Sequence, residues 1–225
     1  MHSLPCSRTT RRTLTLRPEN VDAPISPRAH RTMNSICVYC GSSFGDQPAF
    51  AKTARQLANV MNERSISLVY GGASVGIMGE IANAVLAGGG IAIGVIPQAL
   101  ADKEVSHTGL TELHIVSSMH ERKALMAEIS DGFIALPGGF GTLEELFEML
   151  TWSQLGFHQK PVGLVNVANY YDGLLNFLDH TTTARFVKPA HRNLLISDHS
   201  PEAVLDRMQK FQPSAATKWI GDGET

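Results

Sequence analysis

From about residue 34 onward, short apolar runs alternate with longer stretches in which apolar side chains recur every three or four positions. The runs Ile36–Cys40, Ser67–Tyr70, Ile91–Ile96, Leu113–Val116, Gly132–Leu136, Val162–Val167 and Leu194–Ile196 have the length and composition of buried parallel strands. Between them the spacing predicts helices over about Pro48–Arg64, up to Leu86, over 119–129, from Leu143 to Leu155 and around Tyr171–Leu178. A last helix opens at Ser200-Pro201-Glu202, an N-cap followed by proline at the first helical position. Residues 98–112 read as a polar loop. Strands alternating with helices predict an α/β fold, a doubly wound parallel sheet of about seven strands with helices on both faces. In such sheets ligands bind beyond the carboxyl ends of the strands.

The ends of the chain follow a different pattern. Residues 1–33 carry Arg8, Arg11, Arg12, Arg17, Arg28 and Arg31 against only Glu19 and Asp22, with four prolines and no hydrophobic period. Disorder is the expectation, and two readings stay open: an Arg-rich organelle transit segment, or an upstream start codon with Met33 as the true beginning. Residues 34–211 are read as one domain and 212–225 as a flexible tail.

Composition narrows the function classes. A formal charge of −2 without a basic stripe argues against a nucleic-acid partner. No apolar run approaches the ~20 residues that cross a bilayer. Three cysteines are too few for a disulfide framework, which fits a reduced, cytoplasmic protein. Cys37 and Cys40 spell C-x-x-C inside the first strand. Positions three apart on a strand face opposite sides, so buried thiols are expected rather than a redox pair. Nine histidines are scattered without ligand spacing, and no metal or cofactor motif is visible. No serine sits in a G-x-S-x-G elbow.

The stretch Pro137-Gly138-Gly139-Phe140-Gly141-Thr142-Leu143-Glu144-Glu145 lies where a strand turns into a helix. Glycines without Cβ let ligand oxygens approach the backbone N–H groups, and the helix N-terminus adds unpaired N–H groups and a positive dipole end. The combination suits an anion, most simply a phosphate. It is neither a Walker A loop, which would end in Gly-Lys-Ser/Thr, nor a G-x-G-x-x-G fingerprint. A Gly-rich turn that only packs a strand on a helix has the same local pattern. The turns Gly41-Ser42-Ser43 and Gly71-Gly72-Ala73-Ser74 also end strands, so the topology brings all three to one edge of the sheet. Arg122 falls on the apolar stripe Met119, Leu125, Met126 and Ile129, where a guanidinium is either paired or in contact with a ligand, the other reading being an arginine near the helix end that reaches out to the surface. Glu144 and Glu145 are ~100° apart around the helix, so both cannot face one bound group. Glu145 shares a stripe with Met149 and Trp152 and is expected to point inward.

The pair Met119-His120-Glu121-Arg122-Lys123 and PGGFGTLEE resembles the signature of the LOG (Lonely Guy) family, continuing through Thr151-Trp152-Ser153-Gln154-Leu155-Gly156 and Lys160–Leu164. The likeness spans roughly residues 34–211. It implies a Rossmann-like fold and a homodimer with the nucleotide site near the subunit interface. It also implies hydrolysis of the N-glycosidic bond of an N6-modified adenosine 5′-monophosphate, a cytokinin nucleotide, to free base and ribose 5-phosphate. On the matching positions it gives Arg122 and Glu145 catalytic roles. Substrate-binding roles fall to Ser42, Gly72, Glu104, Lys123, Gly138, Gly139, Phe140, Gly141, Thr142, Glu144 and Thr151. Plain AMP is an alternative substrate, and a non-catalytic nucleotide-binding protein on the same fold is the alternative class. A lysine decarboxylase label is also attached to such sequences. It would need a lysine bound to pyridoxal phosphate with a partner acid, and the sequence shows no such context.

Overall fold

Strand β1 (Ser35–Tyr39) runs between β2 (Ser67–Tyr70) and β5 (Gly132–Ala135), parallel to both. Outward from β2 follow β3 (Ala92–Pro97) and β4 (Glu112–Val116); outward from β5 follow β6 (Val162–Val165) and β7 (Leu195–Asp198). The seven-stranded sheet therefore has the order β4-β3-β2-β1-β5-β6-β7, with every pairing parallel. The computed structural model describes residues 32–103 and 106–212. The expectations for the N-terminal extension, for Glu104 and for the tail lie outside the described residues, apart from 32–33 and 212.

The helices are α1 (Pro48–Glu63), α2 (Gly76–Ala87), α3 (Gln98–Ala101), α4 (Met119–Glu128), α5 (Phe140–Leu155), α6 (Asp172–Thr183), α7 (Pro189–Arg192) and α8 (Pro201–Gln209). Alternation of side chains along each strand supplies two cores. Ile36, Val38 and Cys40 face α1, α2 and α8, whereas Cys37 and Tyr39 face α4, α5 and α6. The cysteines thus lie on opposite faces, both buried and free, as the strand period requires. Leu57, Met61, Met126 and Leu146 are fully buried, each contributing about 1.5–3 kcal/mol of hydrophobic stabilisation.

Two boundaries differ from the sequence reading in ways that bear on the site. The predicted loop 98–112 opens with the single turn α3. Helix α5 starts at Phe140 rather than Leu143, because Gly139 already serves as its N-cap and the apolar period begins only a turn later. Gly141 and Thr142 are therefore first-turn helical residues, with N–H groups still lacking an intrahelical partner. After β6 a short 3-10 turn, Val167–Asn169, leads to α6, which extends five residues past the expected Leu178. No helix among the described residues is long and apolar enough to cross a membrane.

Candidate active site

The chain leaves β1 and winds outward through β2, β3 and β4, then returns to the other side of β1 as β5. That reversal opens a crevice between the turns after β1 and β5. The turns interlock: the Gly41 N–H donates to the Pro137 carbonyl at 3.0 Å, and the Met78 N–H donates to the Gly41 carbonyl at 3.3 Å. A Cβ on Gly138 would stand 2.1 Å from the Thr142 Oγ1 and 2.8 Å from the Gly41 nitrogen. Only glycine fits there. No side chain caps the start of α5, so its first N–H groups are directed at the crevice mouth, beside half-buried Gly138 and exposed Gly139. Thr142 is buried beneath the turn, and Phe140 is almost fully exposed.

Arg122 and Glu145 meet behind this cradle. Ser118 caps α4 by accepting from the Glu121 N–H, and the Glu121 carboxylate accepts from the Ser117 N–H and hydroxyl, fixing where α4 begins. Arg122 then lies one turn in and is 9% exposed despite its charge. Its Nη2 is 3.7 Å from the Glu145 Oε1, and Glu145 is equally buried. Its Nη1 contacts the Met119 sulfur at 3.7 Å, and its Nε is buried without a hydrogen-bond partner. Met119 itself is half-exposed rather than core-facing. Burial pushes the Glu145 carboxyl up to about 7, with Glu144 and Glu148 adding to the rise while Arg122 and Lys123 oppose it. The guanidinium alone does not hold Glu145 ionised: desolvation outweighs the attraction at this distance.

Glu144 points outward, as the helix geometry predicts, and with Glu148 it accepts from Lys123 Nζ at 2.5 and 3.1 Å. Burial by itself lowers the Lys123 pKa, but the hydrogen bonds it donates to Glu144 and Glu148 prevail and the net shift is upward. Ser42 is exposed at the crevice, in the turn that α2 packs against. Gly72 has a positive φ of 75°, and its carbonyl accepts from the His107 N–H. Its neighbour Gly71, which the motif reading passed over, is the one in contact with the charge pair: a Cβ there would lie 2.1 Å from Arg122 Nη2. Thr151 lies about three turns farther along α5, exposed, its hydroxyl donating to the Phe147 carbonyl. Sequence reasoning also missed the floor, where Cys37, with its thiol pushed up by burial, sits within electrostatic reach of Glu145. No signal in one sequence marks that contact, since it arises from strand and helix packing.

Two outcomes follow from this geometry. The Cβ of Gly71→Ala meets only the flexible ends of Arg122 and Met78, so the variant should fold with a small loss of thermal stability. It should lose at least tenfold in whatever turnover depends on the Arg122–Glu145 pair. Because the folded-state pKa of Glu145 is raised, the folded chain binds more protons than the unfolded one between the ordinary carboxylate range and pH 7. Its ionisation then costs stability as pH rises through that window. Glu145→Gln should therefore stabilise the chain more at pH 8 than at pH 5, by about 3 kcal/mol at most, in paired urea titrations. An equal effect at both pH values would contradict the raised carboxyl.

The family model described as "Possible lysine decarboxylase" matches residues 78–208. The chain is 47% identical over 178 residues to cytokinin riboside 5′-monophosphate phosphoribohydrolase LOG7 of Arabidopsis thaliana, covering 79% of this chain and 82% of that protein. It is 51% identical over 199 residues to the probable cytokinin riboside 5′-monophosphate phosphoribohydrolase LOGL1 of Oryza sativa subsp. japonica, covering 84% and 89%. In fold it is similar to the molybdenum cofactor binding protein of Rippkaea orientalis, with TM-score 0.61 and 22% identity over 81% of this chain and 98% of that one. The Moco carrier protein of Chlamydomonas reinhardtii gives TM-score 0.58 and 18% identity over 78% and 95%. Decarboxylation of lysine would call for pyridoxal phosphate, and Lys123, the lysine next to Arg122, does not fit it. A Schiff-base lysine must reach its neutral amine, whereas the Lys123 ammonium is clamped by two carboxylates. A family model that matches more than half of the chain and identities of 47% and 51% to these relatives over most of both chains establish that the chain belongs to the LOG family.

Proposed function

We propose that this chain hydrolyses the N-glycosidic bond of a cytokinin riboside 5′-monophosphate, an N6-modified adenosine 5′-monophosphate, releasing the free base and ribose 5-phosphate. The observation that carries the reading is the buried Arg122–Glu145 pair one helical turn behind an uncapped glycine cradle. The names of the relatives supply the substrate class.

In this reading the 5′-phosphate rests against Gly138 and on the N–H groups of Gly139, Phe140, Gly141 and Thr142, where the α5 dipole favours its charge, while the Gly138 N–H faces the Tyr171 hydroxyl. The ribose then lies toward Glu145, about 6 Å along the helix from Gly141. As the bond from C1′ to the base nitrogen breaks, its electron pair leaves with the base and the sugar becomes oxocarbenium-like. Carboxylate Glu145 lies near that positive charge and accepts a proton from the water whose oxygen bonds to C1′. The departing base takes up a proton, so the sum is base plus ribose 5-phosphate. Arg122, whose Nε lacks a protein partner, holds the phosphate or the leaving base and favours the ionised Glu145. Ser42 and Gly72 line the crevice. Lys123 with Glu144 braces the start of α5, and Thr151 belongs to the assembled site. Glu104 is kept as a substrate contact on the resemblance alone.

We extend the proposal to a cytoplasmic homodimer. Half-exposed Met119 and exposed Leu155 and Phe157, on the elements that carry the site, favour a covered face there. The mass in sizing chromatography distinguishes a dimer from a monomer.

Incubation with isopentenyladenosine monophosphate and with AMP, followed by separation of free bases, tests the reaction and its preference. Release from AMP at an equal rate would favour a nucleosidase without cytokinin selectivity. Release from neither would leave a nucleotide-binding protein. Glu145→Gln should keep nucleotide affinity within a few-fold and lose at least a hundredfold in turnover. Since the carboxylate is the working form and burial raises its pKa to about 7, kcat/KM should climb with pH to a half-maximum near neutrality. A flat profile between pH 5 and 8 would remove Glu145 from the role of base.

A further inference from the structure

Three consecutive carbonyls in the turn after β5 are each occupied by a donor from elsewhere in the chain. The Leu136 carbonyl accepts from the Tyr171 hydroxyl at 2.7 Å, the Pro137 carbonyl from the Gly41 N–H at 3.0 Å, and the Gly138 carbonyl from the Tyr170 hydroxyl at 2.7 Å. In a trans peptide the carbonyl and the following N–H point in opposite directions. Tying the Pro137 carbonyl to Gly41 turns the Gly138 N–H to the Tyr171 hydroxyl, and tying the Gly138 carbonyl directs the Gly139 N–H away from Tyr170. A glycine-rich turn has no side chains to fix its peptide planes, and either plane could rotate to present an oxygen to an anion. Whether the lip of the cradle attracts or repels phosphate depends on these ties.

The donors are held by a built turn. Asn166 is buried, its side chain accepts from the Tyr171 N–H at 2.8 Å and donates to Asp172 at 2.7 Å, and its carbonyl bonds His199 at 2.8 Å. Ala168 and Asn169 then adopt φ of 48° and 62°, a left-handed pair that costs non-glycine residues energy and turns the chain sharply into Tyr170. The Tyr170 ring is half-exposed and packs edge-on between Phe50 and Tyr171, with centroids at 5.5 and 4.8 Å.

We infer that Tyr170, backed by Tyr171, is a positioning residue of the cradle: its hydroxyl locks the Gly138–Gly139 peptide with the N–H toward the ligand and so sets affinity for a sugar 5-phosphate. The inference rests on the phosphate-cradle part of the proposed function and goes beyond it in naming what orients the amides. Neither tyrosine belongs to the glycine motif or to the arginine–glutamate pair.

Tyr170→Phe removes the hydroxyl and keeps the ring. Calorimetric titration of wild type and variant with ribose 5-phosphate and, separately, adenine reads the two ends of the substrate without requiring turnover. The expected result is a dissociation constant for ribose 5-phosphate about fivefold higher, as for one lost hydrogen bond, with adenine within twofold and the thermal midpoint lowered by no more than about 3 °C. In turnover the loss should appear in KM, with kcat close to wild type. Less than a twofold change for ribose 5-phosphate, or equal weakening of both probes, would overturn the positioning role. A wild-type chain that does not bind ribose 5-phosphate overturns the cradle along with it. Tyr170-dependent binding without any base release supports the role while rejecting only the hydrolysis.

Discussion

Glu145 is the constraint from which the rest of the site can be understood. A carboxylate taken out of water tends to pick up a proton, and at 9% exposure the burial effect on Glu145 exceeds the pull of the guanidinium 3.7 Å away. A closer, fully hydrogen-bonded arginine would have driven the acid down to a permanently ionised, structural ion pair. A missing arginine would have left it protonated. The observed separation leaves the acid near neutrality, the range in which a group can both accept and return a proton.

That balance depends on features with no chemistry of their own. Gly71 has no side chain, and so the guanidinium can lie against the backbone after β2. Cys37 and Tyr39 present the buried face of β1 beneath the acid, while Leu146 and Met149 hold α5 on the sheet. Lys123 bridges exposed Glu144 and largely buried Glu148, tying two further carboxylates of the helix into one ion cluster. A packing change at any of these positions would alter either the desolvation of Glu145 or its distance from the opposing charge. Stability and proton affinity are coupled here, since the burial that perturbs the acid also makes its ionised form costly to the fold.

The proposed cradle likewise depends on groups that orient rather than on side chains of its own. Its donors are main-chain amides, whose direction is set by hydrogen bonds to carbonyls on the far side of the loop. The helix contributes a fixed dipole and unpaired N–H groups, while the absence of a side-chain cap on Gly139 keeps them available. Such sites need little reorganisation when an anion arrives, because the dipoles are already aligned by the fold.

Much of this was legible in the chain itself. Alternating apolar runs and helical periods specify a parallel α/β sheet because the two periods, near 2 and 3.6, bury different sets of positions. The inward aim of Glu145 and the outward aim of Glu144 follow from the ~100° step between helical neighbours. The glycine turn and the arginine on an apolar stripe could likewise be singled out, since glycine clusters and buried charges are costly without a purpose. Tertiary structure alone decided that the guanidinium lies against Gly71, that burial outweighs Arg122 at Glu145, and that Tyr170 and Tyr171 tie the cradle's carbonyls. Each of these joins residues at least 23 positions apart in the chain, at angles and distances set by how layers pack. Periodicity reports which face of an element is buried, and it is silent on what that face meets.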